Sequence, residues 1–134
     1  MSAGDANRKL AHSYLVKADQ DLSALRYLAG ITDVADEIVG FHAQQCVEKA
    51  LKALLIWKGI PFRRTHDLAE LLDLLIDHNI PLPEEIQDVD FLNPFAVEFR
   101  YAIFLSEEPP IDRTAVLRSA EAVRNWVRSL IGEC

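Results

Sequence analysis

Phe41-His42-Ala43-Gln44-Gln45-Cys46-Val47-Glu48-Lys49-Ala50-Leu51-Lys52-Ala53-Leu54-Leu55 is the stretch on which the fold of this 134-residue chain turns. Wound at about 100° per residue, Ala43, Cys46, Val47, Ala50, Leu51, Leu54 and Trp57 share one side of a helix over an arc of roughly 140°. His42, Gln45, Glu48, Lys49 and Lys52 share another, over roughly 120°. The first side is a core-facing stripe. The second gathers an imidazole, an amide, a carboxylate and two amines, groups that can contact phosphate or ribose or form a polar interface. The competing reading is a solvated face with ordinary Gln45–Lys49 and Glu48–Lys52 pairs four residues apart.

Working outward, this helix spans about Val34 to Lys58. Thr32 or Asp33 can cap it, and Gly59 with Pro61 ends it. Before it, Leu10, Tyr14, Ala18, Leu22, Leu25 and Leu28 predict a helix from about Asn7 to Ala29, stopped by Gly30. After it, Thr65 is the expected cap of a third helix starting near His66. Leu68, Leu71, Leu72, Leu75 and Ile76 are its stripe, and Asn79 and Pro81 close it. A shorter fourth helix opens with Pro83-Glu84-Glu85 and is interrupted at Asn93-Pro94. A helical segment from Glu98 to Phe104 follows. Asp112 caps a last helix with the stripe Val116, Ala120, Val123, Val127 and Leu130. No stretch alternates as a strand does, so the expected fold is all-α: one domain over residues 1–134, an antiparallel up-and-down bundle of four to five helices.

Composition narrows the function classes. The net charge of −7 argues against generic nucleic-acid coating. The charge is uneven, however. From Phe41 to His66, Lys49, Lys52, Lys58, Arg63 and Arg64 stand against Glu48 alone, a net of +4. From Asp67 to Asp112, twelve acidic residues stand against Arg100, a net of −11. An anion site on an acidic protein is compatible with that split. No run reaches the roughly 18 apolar residues of a membrane span, and the N-terminus lacks a signal-peptide core. Cys46 and Cys134 have no ligand-spaced neighbours, so neither a disulfide framework nor a metal site is expected, no cofactor is implied, and the cytoplasm is the expected compartment.

The quoted stretch resembles the central helix signature of HEPN domains. Thr65-His66-Asp67-Leu68 resembles the start of their third helix. Asn93-Pro94-Phe95, then Glu98-Phe99-Arg100-Tyr101, resembles the segment before their final helix. The resemblance implies a dimeric helical bundle with a minimal nucleotidyltransferase as its partner protein, the pair acting as a toxin and its neutraliser. Related HEPN proteins cut RNA without metal, using an arginine followed four to six residues later by histidine; others bind nucleotides or serve as scaffolds. Here no histidine follows Arg100, because the last in the chain is His78. Metal-free cleavage needs a base for the 2′-hydroxyl and an acid for the leaving oxygen, and arginine is a poor proton shuttle. His42 or His66 would have to replace the missing group.

These readings converge on a binding module that presents His42, Gln45, Glu48, Lys49, Lys52, Arg63, Arg64, His66, Arg100 and Tyr101 toward a nucleotide, an RNA phosphate or the nucleotidyltransferase partner. The alternatives are a metal-independent endoribonuclease with a relocated histidine and a structural dimerisation module. Phe91, Phe95, Phe99, Phe104, Trp57 and Trp126 hold more apolar surface than one small core covers, so a homodimer is expected. Light scattering at micromolar concentration should report twice the 15.1 kDa chain mass; a clean monomer contradicts this.

Overall fold

The computed structural model describes residues 2–96 and 110–132. Every regular element among them is helical: α1 (Ala3–Leu28), α2 (Asp36–Trp57), α3 (Leu68–Asp77), two short 3₁₀ turns (Glu84–Ile86 and Val89–Phe95) and α4 (Arg113–Leu130). The all-α expectation is met. The segment expected to be helical from Glu98 to Phe104 lies outside the described residues. No helix among the described residues is long and apolar enough to cross a membrane.

α2 is the axis of the bundle. Its stripe is fully buried from Ala43 through Leu54, but so are Val39, Gln44, Ala53 and Leu55 on its other sides, because α1, α3, α4 and the second 3₁₀ turn all pack against it. Each buried leucine contributes about 1.5–3 kcal/mol relative to exposure. Directions follow from the ion pairs. Arg113, at the start of α4, binds Asp36 at the start of α2, and a Cβ on Gly132 would touch the Trp57 ring at the other end. α4 therefore runs parallel to α2. Arg124 with Asp19, and Arg26 with Glu121, pair in opposite order along α1, which makes α4 antiparallel to α1. Gly40 lets the second 3₁₀ turn close on α2, since a Cβ there would stand 2.3 Å from the Phe95 ring.

The local expectations need several corrections. α2 starts later than Val34: Ala35 occupies its N-cap and makes no side-chain cap. Asp36 instead accepts from the Ile111 amide and the Arg113 guanidinium, while Arg113 also donates to the Leu28, Ile31 and Val34 carbonyls. One arginine from α4 thus ties down the start of α2, where Thr32 or Asp33 was expected as the cap. The fourth helix is two 3₁₀ turns, the second containing Pro94, which has no amide to donate. Leu10, Ile76 and Leu130, read as core, are 48%, 53% and 38% exposed. They lie at the edges of their stripes or at a helix end. His12 sits within α1, edge-on to the Trp57 ring at 5.7 Å between centroids.

The cap of α3 is Asp67, not Thr65. Asp67 Oδ1 accepts from the Ala69 amide at 3.0 Å, and Thr65 Oγ1 accepts from the Asp67 amide one step earlier. Asn93 locks the corner, donating to Asp67 Oδ1 at 2.9 Å and accepting from the Leu68 amide at 2.8 Å. Asp67→Ala should therefore cost about 1–2 kcal/mol, the upper part of the N-cap range, and more than Thr65→Ala, which removes a single accepted bond. Denaturant unfolding of the two variants checks the order; a larger loss for Thr65→Ala contradicts the assignment.

Candidate functional site

The polar side of α2 is a seam rather than a solvated face. Glu48 is 4% and Lys52 7% exposed. Charged groups at such depth persist only when paired and hydrogen-bonded, and each one here is. Glu48 Oε2 accepts from Lys52 Nζ at 3.1 Å. Glu48 Oε1 accepts from Gln44 Nε2 at 3.0 Å and lies 2.8 Å from His66 Nδ1. Gln44 also donates to the His66 carbonyl, and Gln45 donates to Gln44 Oε1 at 2.6 Å. His66, in the loop before α3, is thereby fastened to α2. Lys52 also stands over the Phe62 ring at 5.8 Å.

A second cluster of the same composition joins α1 to α2. Asp21 on α1 reaches Lys49 Nζ with Oδ2 at 2.6 Å and His42 Nδ1 with Oδ1 at 3.0 Å. Each carboxylate therefore holds one lysine and one histidine, and both lysines are partly neutralised where they stand. The loop arginines are less engaged. Arg63 pairs with Glu70 at 2.6 Å and is largely exposed, and Arg64 is exposed with no ion pair among the described residues. Arg100 and Tyr101 lie outside the described residues. Of the expected site residues, His42 and Lys49 meet at one carboxylate, Glu48, Lys52 and His66 at the other, and Gln45 joins the latter through Gln44.

Between α1 and α2 lies a groove of about 410 Å³ lined by Leu10, Ser13, Tyr14, Lys17, Glu48, Lys49 and Lys52. Three lysines, a serine and a tyrosine line it with one glutamate, and Asp21 stands behind Lys49 at 2.6 Å. A larger groove of about 730 Å³, bordered by Ile76, Ile80, Pro81 and Leu82, has no cationic side chain in its lining. Chemistry, not size, singles out the first. Asp21, Gln44, Ser13, Tyr14 and Lys17 were missed by reading α2 alone. For two of them, Gln44 and Asp21, the sequence held a signal. Gln44 lies about 20° from Leu51 at the edge of the apolar arc, and Asp21 about 40° from Leu25 beside the stripe of α1. A polar residue at such an edge needs a partner across the seam.

The comparisons with known proteins agree with this architecture. The family model of the HEPN domain matches residues 11–130. The crystal structure of ST0689, an archaeal HEPN homologue, superposes with a TM-score of 0.70 at 28% identity, covering 91% of this chain and 98% of that one. The candidate toxin MJ1304 of Methanocaldococcus jannaschii is 43% identical over 58 residues, which take in 43% of this chain and 37% of that protein.

Two groups behind the seam have shifted affinities for protons. The hydrogen bonds that the Arg124 guanidinium donates to Asp19 raise its affinity for its proton further above the ordinary value. Burial, with Asp21 and Asp19 adding their charge, pushes the Cys46 thiol from 9.0 up to about 12. Since the folded value is raised, the stabilising contribution of the protonated thiol is complete below about 9 and is lost as pH climbs toward 12. In a Cys134→Ser variant, native protein at mildly alkaline pH should not react with a thiol reagent until denaturant is added; labelling at the rate of a free thiol contradicts the burial.

Proposed function

This chain belongs to the HEPN family, and from that premise we propose that it is a binding module whose α1/α2 groove takes a nucleotide or an RNA phosphate. The observation that carries this is the gathering of Lys17, Lys49 and Lys52 with Ser13 and Tyr14 along one groove, on a protein of net charge −7. An anion is steered to that groove and repelled from the acidic stretch after Asp67. Asp21 and Glu48 hold Lys49 and Lys52 in place, so little ordering of these two side chains remains to be done when an anion arrives. Arg63 and Arg64 follow α2 in the loop that ends at His66 and extend the cationic surface. The likeness to a candidate toxin supports a toxin–antitoxin setting. In it, residues 1–134 act as one HEPN-like unit, a homodimer in the cytoplasm, opposite a nucleotidyltransferase-type partner protein.

One observation favours a second reading, a metal-independent endoribonuclease. His42 and His66 each direct Nδ1 to a carboxylate, the arrangement that fixes an imidazole for proton transfer through its other nitrogen. RNA cleavage in EDTA, abolished by His42→Ala or His66→Ala, would select it over simple binding.

The structure dictates which lysine to change. Lys52→Glu would set a second carboxylate beside buried Glu48 and threaten the fold. Lys17 is exposed and has no ion pair among the described residues. Lys17→Glu should leave the thermal melt unchanged, weaken binding of short RNA about tenfold, and lower the salt slope by about one counterion. Unaltered binding contradicts the groove as the anion site.

A further inference from the structure

We propose that the apolar groove at the C-terminal end of α3 is a docking site for a basic segment of a partner protein, one that carries apolar side chains beside its cations. The site is separate from the α1/α2 groove and does not depend on anion binding there. It has a volume of about 730 Å³ and is lined by Ile76, Asn79, Ile80, Pro81, Leu82 and Gln87. The backbone sets its walls. α3 stops before Asn79, whose φ of 63° is left-handed, and the Ile80 amide turns back to the Leu75 carbonyl at 3.0 Å. Pro81 fixes its own φ, and Gln87 Nε2 donates to the Leu82 carbonyl at 3.1 Å. Ile76 is left 53% exposed along this preformed groove. Apolar surface held in a concave site is where another chain can bury its own.

Charge decides the occupant. Asp73, Asp77, Glu84, Glu85, Asp88 and Asp90 flank the lining residues in sequence, are all exposed, and have no ion pair among the described residues. Elsewhere Asp19, Asp21, Asp36, Glu48, Glu70 and Glu121 each hold a cation of the chain. No lysine or arginine occurs from Asp67 to Ala96. His78 is engaged with the Leu74 carbonyl at 2.8 Å. The last turn of α3 carries no basic residue, so the negative end of its dipole adds to the field. Nucleic acids and anionic membranes are repelled from such a face. A second copy brings its own net charge of −7. A metal ion lacks a seat, since no cluster of three or more His, Cys, Asp or Glu suited to one occurs among the described residues, and it would leave Ile76 uncovered. A peptide segment with Lys or Arg beside Leu, Ile or Phe answers both features. Its apolar side chains fill the groove and its cations meet the rim, the core-and-rim anatomy of a protein interface. The rim charges steer the encounter, and the apolar contact holds the complex.

The experiment uses the full-length chain and a short synthetic peptide of lysine and leucine, with the leucines at helical spacing, followed by fluorescence anisotropy and residue-resolved NMR. Two control peptides accompany it: the same composition reordered to remove the apolar face, and the same spacing with glutamate for lysine. The first peptide should bind with shifts at Ile76, Ile80, Leu82 and Gln87. The reordered one should bind about tenfold more weakly, the effect of losing part of the apolar contact, and the glutamate one not at all. Ile76→Ser should weaken the first peptide about tenfold and leave the thermal melt unchanged, because that side chain is half exposed. Asp73→Asn with Asp77→Asn should flatten the salt dependence. Equal affinity of the first and reordered peptides overturns the proposal, since charge alone would then account for binding, and this comparison does not require any variant to fold. Shifts centred on α1 and α2, or unaltered binding by Ile76→Ser, also overturn it. Self-association of the chain without peptide, lost in Ile76→Ser, overturns it in favour of a second copy. None of these outcomes bears on anion binding by the lysines of the α1/α2 groove, so the two readings fail separately.

Discussion

Two carboxylates between α1, α2 and the loop before α3, Asp21 and Glu48, impose the constraint on which the rest of the site depends. Each binds one lysine and one histidine, because a charge removed from water must find opposite charge and hydrogen bonds or shift its protonation. Asp21 sets where Lys49 and His42 stand relative to α1. Glu48 sets Lys52 on α2 and draws His66 and the chain leading into α3 onto the bundle. Removing one member of the nearly buried Glu48–Lys52 pair would cost more than the pair contributes, since the other would remain charged and unpaired. The groove, its cations and the docking of α3 are thus one connected arrangement.

That arrangement was half legible in the sequence. The core side of α2 was readable because helical spacing and apolar character coincide from Ala43 to Leu54. The stripe of α4 and its Asp112 cap were readable for the same reason. The polar side was readable as a group of residues but not as a seam, because periodicity along one helix is silent about what lies across from it. Lys52 looks solvated in sequence and is 7% exposed in the fold. Its burial depends on α1, Phe62 and Glu48 meeting there. The ends of helices were read least well. Arg113, remote in sequence, anchors the start of α2 where a local threonine or aspartate was expected. At α3, two adjacent residues could both serve as caps, and the bond from Asn93 accompanies the choice of Asp67.

The resemblance noted in the sequence is now a family membership, matched over residues 11–130. Membership gives the fold and leaves the chemistry to be argued from the side chains. The arginine–histidine spacing of the family's nucleases is missing after Arg100, while the two carboxylate-bound histidines are an internal feature of this chain. A groove with three lysines is better suited to holding phosphate than to cleaving it. Proton transfer would require His42 and His66 to reach the same bond.

On the proposed function, anions enter between α1 and α2 rather than elsewhere on this acidic surface. A residue-resolved NMR titration of the full-length chain with inorganic pyrophosphate tests it most directly. Saturable shifts are expected at Ser13, Tyr14, Lys17, Lys49 and Lys52, with little change in α4 or around Ile76 to Gln87. Shifts centred on those other regions, or none at the lysines, would contradict it.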